Sequence, residues 1–114
     1  MRVFLAGIIQ GSHRGRELHD QTYRDRLKAI LRAYLPEAEV CCPIDLHPSG
    51  IDYAPAEQRR AFFSLVETAA QADLLIAYLP EASLGTAIEM WEAYHHGRVV
   101  VVITPMRENW VINL

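Results

Sequence analysis

The sequence predicts an α/β protein, a small parallel sheet doubly wound by helices. Short apolar, partly β-branched runs stop at glycine, proline or a polar loop; between them lie segments with apolar residues three and four apart; and the two kinds alternate through all 114 residues. The first run, RVFLAGII, reads as a strand buried on both faces. The polar, glycine-bearing loop GSHRGRELH follows. QTYRDRLKAILRAYL then places Tyr23, Leu27, Ile30, Leu31 and Tyr34 on one helical stripe and ends before Pro36. AEVCCPI is the second strand and DLHPSGIDYAP a loop. AEQRRAFFSLVETAAQA has the helical period through Phe62, Leu65, Val66 and Ala69. DLLIAYL is the third strand, SLGTAIEMWEAYHHG the third helix with Gly97 as its C-cap, and RVVVVIT the fourth strand. MRENWVINL begins a last helix of about two turns. Residues 1–114 thus form a single domain, a flavodoxin-like or Rossmann-like three-layer sandwich of right-handed βαβ units, with ligands expected beyond the carboxyl ends of the strands.

Composition narrows the function. A hydrophobic content of 51% with 22% charged residues is that of an ordinary globular domain, and the net charge of −3 comes with no basic stripe, so polymeric nucleic acid is not an expected partner. No apolar run approaches the roughly 18 residues of a membrane span, and the amino end lacks the pattern of a signal peptide. Cys41 and Cys42 are neighbours on a strand and point to opposite faces, as reduced thiols would; a cytoplasmic protein is expected. A core this small favours pairing with a second copy.

The chemistry concentrates in SLGTAIE. A helix starting near Ser83 presents unpaired backbone amides at the positive end of its dipole, a place for a phosphate or other anion, and Ser83 adds a hydroxyl. With Leu84, Ala87, Ile88, Trp91 and Tyr94 expected against the sheet, Gly85, Thr86, Glu89 and Ala93 fall at the polar edge. The Glu89 carboxylate leans back over Gly85, which has no side chain to fill that space. A nucleotide has the matching spacing between phosphate and sugar carbon. The same residues also fit a plain N-cap at Ser83, a packing contact at Gly85 and a solvated Glu89. The loop GIIQGSHRG has neither GxGxxG nor the GK[ST] ending of a P-loop, and His13, His19 and His47 make no metal spacing, so neither a cofactor nor a metal is expected.

FLAGIIQG, AQADLLIAYLPEASLGTAIEMWEAY and the strand that follows resemble the nucleoside 2-deoxyribosyltransferase family, which includes nucleoside 5'-monophosphate N-glycosidases. The most specific part is Asp73 at the start of the third strand followed by Ser-x-Gly-x-x-x-Glu. The resemblance implies that Glu89 is a nucleophile attacking the anomeric carbon, that Ser83 holds a 5'-phosphate, and that Gly7, Ile9, Gly11, Arg14 and Gly15 lie in a loop around sugar and phosphate. Within the leading reading, a nucleotide N-glycosidase, Asp45, His47 and Tyr53 are the groups available to meet the departing base. A deoxyribosyl transferase and a non-catalytic nucleotide-binding module are the alternatives. The resemblance also implies that a polar residue near the carboxyl end, Asn109 or Asn113, reaches the active site of a neighbouring subunit in a homodimer in which Trp110 is buried. Three positions depart from the family pattern: Leu65 stands where an aspartate is common, Phe4 where many members have a tyrosine, and Met90–Trp91 where Leu-Gly often follows the glutamate.

Overall fold

A computed structural model describes residues 1–114. In chain order the elements are β1 (Arg2–Gly7), α1 (Thr22–Tyr34), β2 (Glu39–Cys41), α2 (Pro43–Leu46), α3 (Pro55–Gln71), β3 (Leu74–Tyr78), α4 (Leu84–His95) and β4 (Val99–Ile103). All strands pair in parallel in the order β2-β1-β3-β4. The chain steps outward from β1 to β2 and then crosses back to β3, so the order reverses between β1 and β3. That is the switch point at which such sheets take ligands.

Each strand residue takes the opposite face from its neighbour, and the two cores follow from this. Phe4 and Ala6 of β1 join Leu75 and Ala77 of β3 under Ala69 of α3 and Met90 and Ala93 of α4. Val3 and Leu5 face the other way, with Leu31 of α1 and Cys42. Central β1 is therefore sealed on both faces. Cys41 packs at the first core and Cys42 in the second, and both are free thiols. No helix is long and apolar enough to cross a membrane.

The helix ends follow local chemistry. Pro55 opens α3, with Glu57 accepting a hydrogen bond from the Ala54 N–H. At the end of α4, Gly97 adopts φ +73°, its N–H donating to Tyr94 and the Arg98 N–H to Ala93, a Schellman closure.

Three expectations change. Pro43 and Ile44, expected to end the second strand, instead open the single turn α2 with Pro43 at its first position, and the expected loop from Asp45 holds the rest of α2 and a 3-10 turn over Gly50–Asp52. The expected last helix is instead a series of turns. There Asn109 Oδ1 accepts from the Val111 and Ile112 N–H groups, donors that a helix would send to backbone carbonyls. The orientation of α4 is also reversed. Its buried residues are Thr86, Glu89, Met90 and Ala93, while Leu84 is 85% exposed and Ile88, Trp91 and Tyr94 also face outward. Because α4 packs against both the sheet and α3, small side chains occupy the close approaches: a Cβ on Gly85 would stand 3.4 Å from Phe62 Cε2. The bulky stripe is left on the surface.

Candidate active site

A cavity of about 390 Å³ opens at the carboxyl edge of the sheet, over the switch point. Four stretches build it: Gly7, Ile9, Gln10 and Gly11 after β1; Pro43, Ile44, His47, Ile51 and Tyr53 after β2; Gln58, Ala61, Phe62 and Leu65 on α3; and Ser83, Leu84, Gly85, Thr86 and Glu89 at the start of α4. Of the residues expected from sequence, Gly7, Ile9, Gly11, His47, Ser83, Gly85 and Glu89 thus share one cavity.

Glu89 is buried to 6% exposure, not solvated at a polar edge, and its Oε2 has no hydrogen-bond partner. Burial pushes its carboxyl from 4.5 up to about 8, a rise that the positive charge of Arg24 opposes. It is the only carboxylate among the lining residues. A buried, unpartnered acid aimed into a cleft costs stability, and such groups concentrate where chemistry needs them.

Ser83 is the N-cap of α4. Its Oγ accepts from the Thr86 N–H at 3.4 Å and donates to Thr86 Oγ1 at 3.0 Å. At the far side of the cavity His47 Nδ1 lies 3.0 Å from the Tyr53 hydroxyl, the rings edge to face at 5.7 Å. This pair can exchange a proton with a ligand, and Ile44, Ile51, Phe62 and Leu65 give the cavity an apolar wall suited to a flat ring.

Four expected residues are elsewhere. Asp73 sits at the amino end of β3, where its Oδ2 accepts from the Arg2 N–H at 2.7 Å and holds the sheet's opposite edge; a strand length separates it from the cavity. Asp45 points outward into an ion pair with Lys28 at 2.6 Å, which leaves the His47–Tyr53 pair as the proton-bearing groups after β2. Arg14 lies on the exposed surface of the first loop, outside the lining. Asn113 donates to the Arg107 carbonyl of its own chain at 3.0 Å. That first loop is tied down at other points: His19 Nε2 meets Glu81 Oε1 at 2.9 Å, and His13 stacks on His19 with ring centres 4.4 Å apart.

Sequence reasoning missed two residues of α1. Tyr23 donates its hydroxyl to the Ile8 carbonyl at 3.0 Å and packs beside Tyr78, and burial raises its phenol to about 12. A side chain on Gly7, at φ +157°, would collide with that hydroxyl, so glycine and tyrosine are matched. Arg24 is 2% exposed. An arginine beside a tyrosine in a polar helix start reads as solvent-facing, and only Leu27 and Leu31, at i+3 and i+7 from it, point to an inward stripe.

The fold and cavity define a class: a parallel α/β protein with a cavity at its switch point that one buried carboxyl helps to line. No protein-family model matches the sequence, and comparison with curated proteins gives no match. Among solved structures, the chain is similar to the 2-deoxyribosyltransferase of the psychrotolerant bacterium Bacillus psychrosaccharolyticus, described as a biocatalyst for nucleoside synthesis, with TM-score 0.70 and 17% identity over 96% of this chain and 76% of that one. It is also similar to a 2-deoxyribosyltransferase from Leishmania mexicana, with TM-score 0.59 and 18% identity over 90% of this chain; it spans 63% of that protein, less than two thirds of its length. The α/β fold of this chain, with its four-stranded parallel sheet, is similar to that of these enzymes.

Proposed function

We propose that the protein cleaves the N-glycosidic bond of a nucleoside 5'-monophosphate through Glu89. The observation that carries this reading is the unpartnered, buried Glu89 carboxyl in a cavity that also holds the start of α4. Ionised Glu89 attacks C1', the C1'–N bond breaks, and the electron pair leaves with the base, which takes a proton from the His47–Tyr53 pair. Water then attacks C1' of the glycosyl ester, returns the carboxylate and gives the sugar phosphate its hydroxyl; the remaining proton restores the pair. The backbone amides at the start of α4 face the phosphate. Leu65 leaves that part of α3 without an acid, so proton delivery falls to the loop after β2.

Transfer of 2-deoxyribose from a free nucleoside to a second base is the other reading. Two observations favour it: no lysine or arginine lines the cavity, and the Ser83 hydroxyl is already engaged with Thr86. Incubation with a panel of nucleosides and nucleoside monophosphates, with and without an acceptor base, separates the readings by product. A sugar phosphate is expected, a new nucleoside supports the transferase, and neither product leaves a binding module. In melting experiments a monophosphate at a hundredfold excess over its Kd should raise Tm by roughly 10–12 °C, and the matching nucleoside much less. Equal shifts would remove the phosphate from the assignment.

The outward stripe of α4 supports a homodimer. Trp91 and Tyr94 line a groove with Val111, Ile112 and Leu114, Leu84 and Ile88 are exposed on the same helix, and Trp110 is 90% exposed. Apolar surface of this extent marks an interface. Light scattering at micromolar concentration should give twice the 12.9 kDa chain, and Trp91→Glu combined with Trp110→Glu should return one chain. A monomeric unsubstituted protein removes the dimer. For Asn113 to serve the neighbouring cavity it must first release the Arg107 carbonyl.

A further inference from the structure

Arg24 and Glu89 are the only charged side chains among the buried residues, and both lie at the carboxyl end of β1. Every hydrogen bond of the Arg24 guanidinium goes to a neutral acceptor. Nη1 donates to the Leu5 carbonyl at 2.9 Å and to Cys42 Sγ at 3.6 Å, Nη2 to the Gly7 carbonyl at 3.2 Å, and Nε to Gln21 Oε1 at 2.8 Å. It takes part in none of the five ion pairs of the protein. A guanidinium keeps its proton at any ordinary pH, so a full positive charge sits in the interior with no carboxylate in contact. Burying it so costs stability, and an apolar residue would fill the place at less cost.

We infer that Arg24 is a positioning residue for the proposed nucleophile: from α1 it supplies the countercharge that lets buried Glu89 ionise, and it fixes the strand ends that shape the cavity. The second part follows from its partners. Gly7 lines the cavity, and Cys42 immediately precedes Pro43 and Ile44, which line it too. One side chain therefore ties β1, the end of β2 and the start of α1 together behind the site.

The first part follows from the surroundings of Glu89. From α1, Arg24 donates to the carbonyl of Gly7, which lines the same cavity as Glu89, and Tyr23 donates to the Ile8 carbonyl and packs on Tyr78; the Arg24 charge favours the ionised form of Glu89. His47 and Tyr53 face the cavity from the loop after β2, and the lining residues of α3 carry no charge. Arg24 is the one permanent cation in this set. Its field acts through a buried, weakly screened interior, where charges couple over longer distances than at the surface.

The role in catalysis rests on the proposed function, but the coupling can be read without turnover. In protein labelled with ¹³C at glutamate carboxyls, with Glu89→Gln to identify the signal, Arg24→Gln should raise the Glu89 titration midpoint by about one pH unit, a tenfold change. Arg24→Lys, which keeps the charge, should restore most of it. A midpoint unchanged in Arg24→Gln overturns the inference. Should Arg24→Gln fail to fold, the unsubstituted protein gives the answer: the Arg24 Nε–H resonance should shift with the Glu89 midpoint and lose that step in Glu89→Gln. A flat Arg24 signal across that range overturns the inference as well. Activity surviving in Glu89→Gln would instead defeat the proposed nucleophile and leave the coupling intact, so the two failures are distinct.

Discussion

Glu89→Gln should lower base release by roughly four orders of magnitude or more while leaving the fold unchanged. The amide matches the acid in shape, so it fills the same space between the sheet, α1 and the start of α4, but it offers no oxygen basic enough to form a glycosyl ester. The unsubstituted protein should carry a matching pH signature. With the free carboxyl at about 8, only about a tenth of the molecules hold Glu89 ionised at pH 7, so kcat/KM should climb about tenfold per unit below pH 8 and level off above it. Steady-state product release from pH 5.5 to 9 checks both statements. Full activity in Glu89→Gln, or a rate independent of pH across that range, would remove Glu89 from the chemistry.

The same residue should make the fold less stable as pH rises. In the unfolded chain Glu89 ionises near 4.5, whereas in the folded protein it holds its proton to about 8. Below 4.5 both states are protonated and the contribution is whole. Between 4.5 and 8 the unfolded state releases the proton and the folded state retains it, so stability is lost progressively, and above 8 the loss is complete. At about 1.4 kcal/mol per unit the full span is on the order of 5 kcal/mol. Glu89→Gln has no such proton, so its advantage over the unsubstituted protein should be small near pH 4.5 and grow to several kcal/mol by pH 8.5. Urea midpoints of both proteins at the two pH values measure this. An advantage that stays constant with pH would mean that Glu89 is ionised, and therefore solvated, in the folded state. It would also contradict the acid limb expected for the rate.

These two expectations separate stability from function at one atom. A carboxyl kept neutral by burial is a poor nucleophile until something favours its charge, and Arg24 is the group placed to do so. The protein accepts two costly buried groups where two leucines would hold the core together better.

The alternation of strands and helices, the parallel sheet and the end of the sheet at which the cavity opens were legible in the sequence, because each rests on local pattern. β1 reads as a buried strand from its own residues, Gly97 as a helix end, and Ser83-Leu84-Gly85 as a helix start beyond a strand. Those features point to the carboxyl edge of the sheet without any knowledge of contacts. Periodicity gives the stripes of a helix but not which stripe faces inward. In α4 the bulky residues at 84, 88, 91 and 94 form the better hydrophobic stripe, yet the close approach to α3 and the sheet admits only the narrower one through Thr86, Glu89, Met90 and Ala93. For that reason Glu89 lies in the interior and not at the polar edge, and the bulky stripe is left on the surface. Asp73 and Asp45 lie outside the cavity for different reasons: Asp73 is at the other end of its strand, while Asp45 is at the cavity's end of the sheet but turns outward, and each carboxylate meets a donor that the fold brings to it, the Arg2 N–H or Lys28. Arg24 was invisible because its acceptors are carbonyls and a side-chain amide spread over residues 5 to 21 and a thiol at 42, which only the folded chain brings together. The sequence by itself determined the order of elements and singled out Glu89 at the start of a helix; the tertiary structure decided how deeply that carboxyl is buried and that Arg24 is buried with it, because burial is a property of surroundings that no single segment contains.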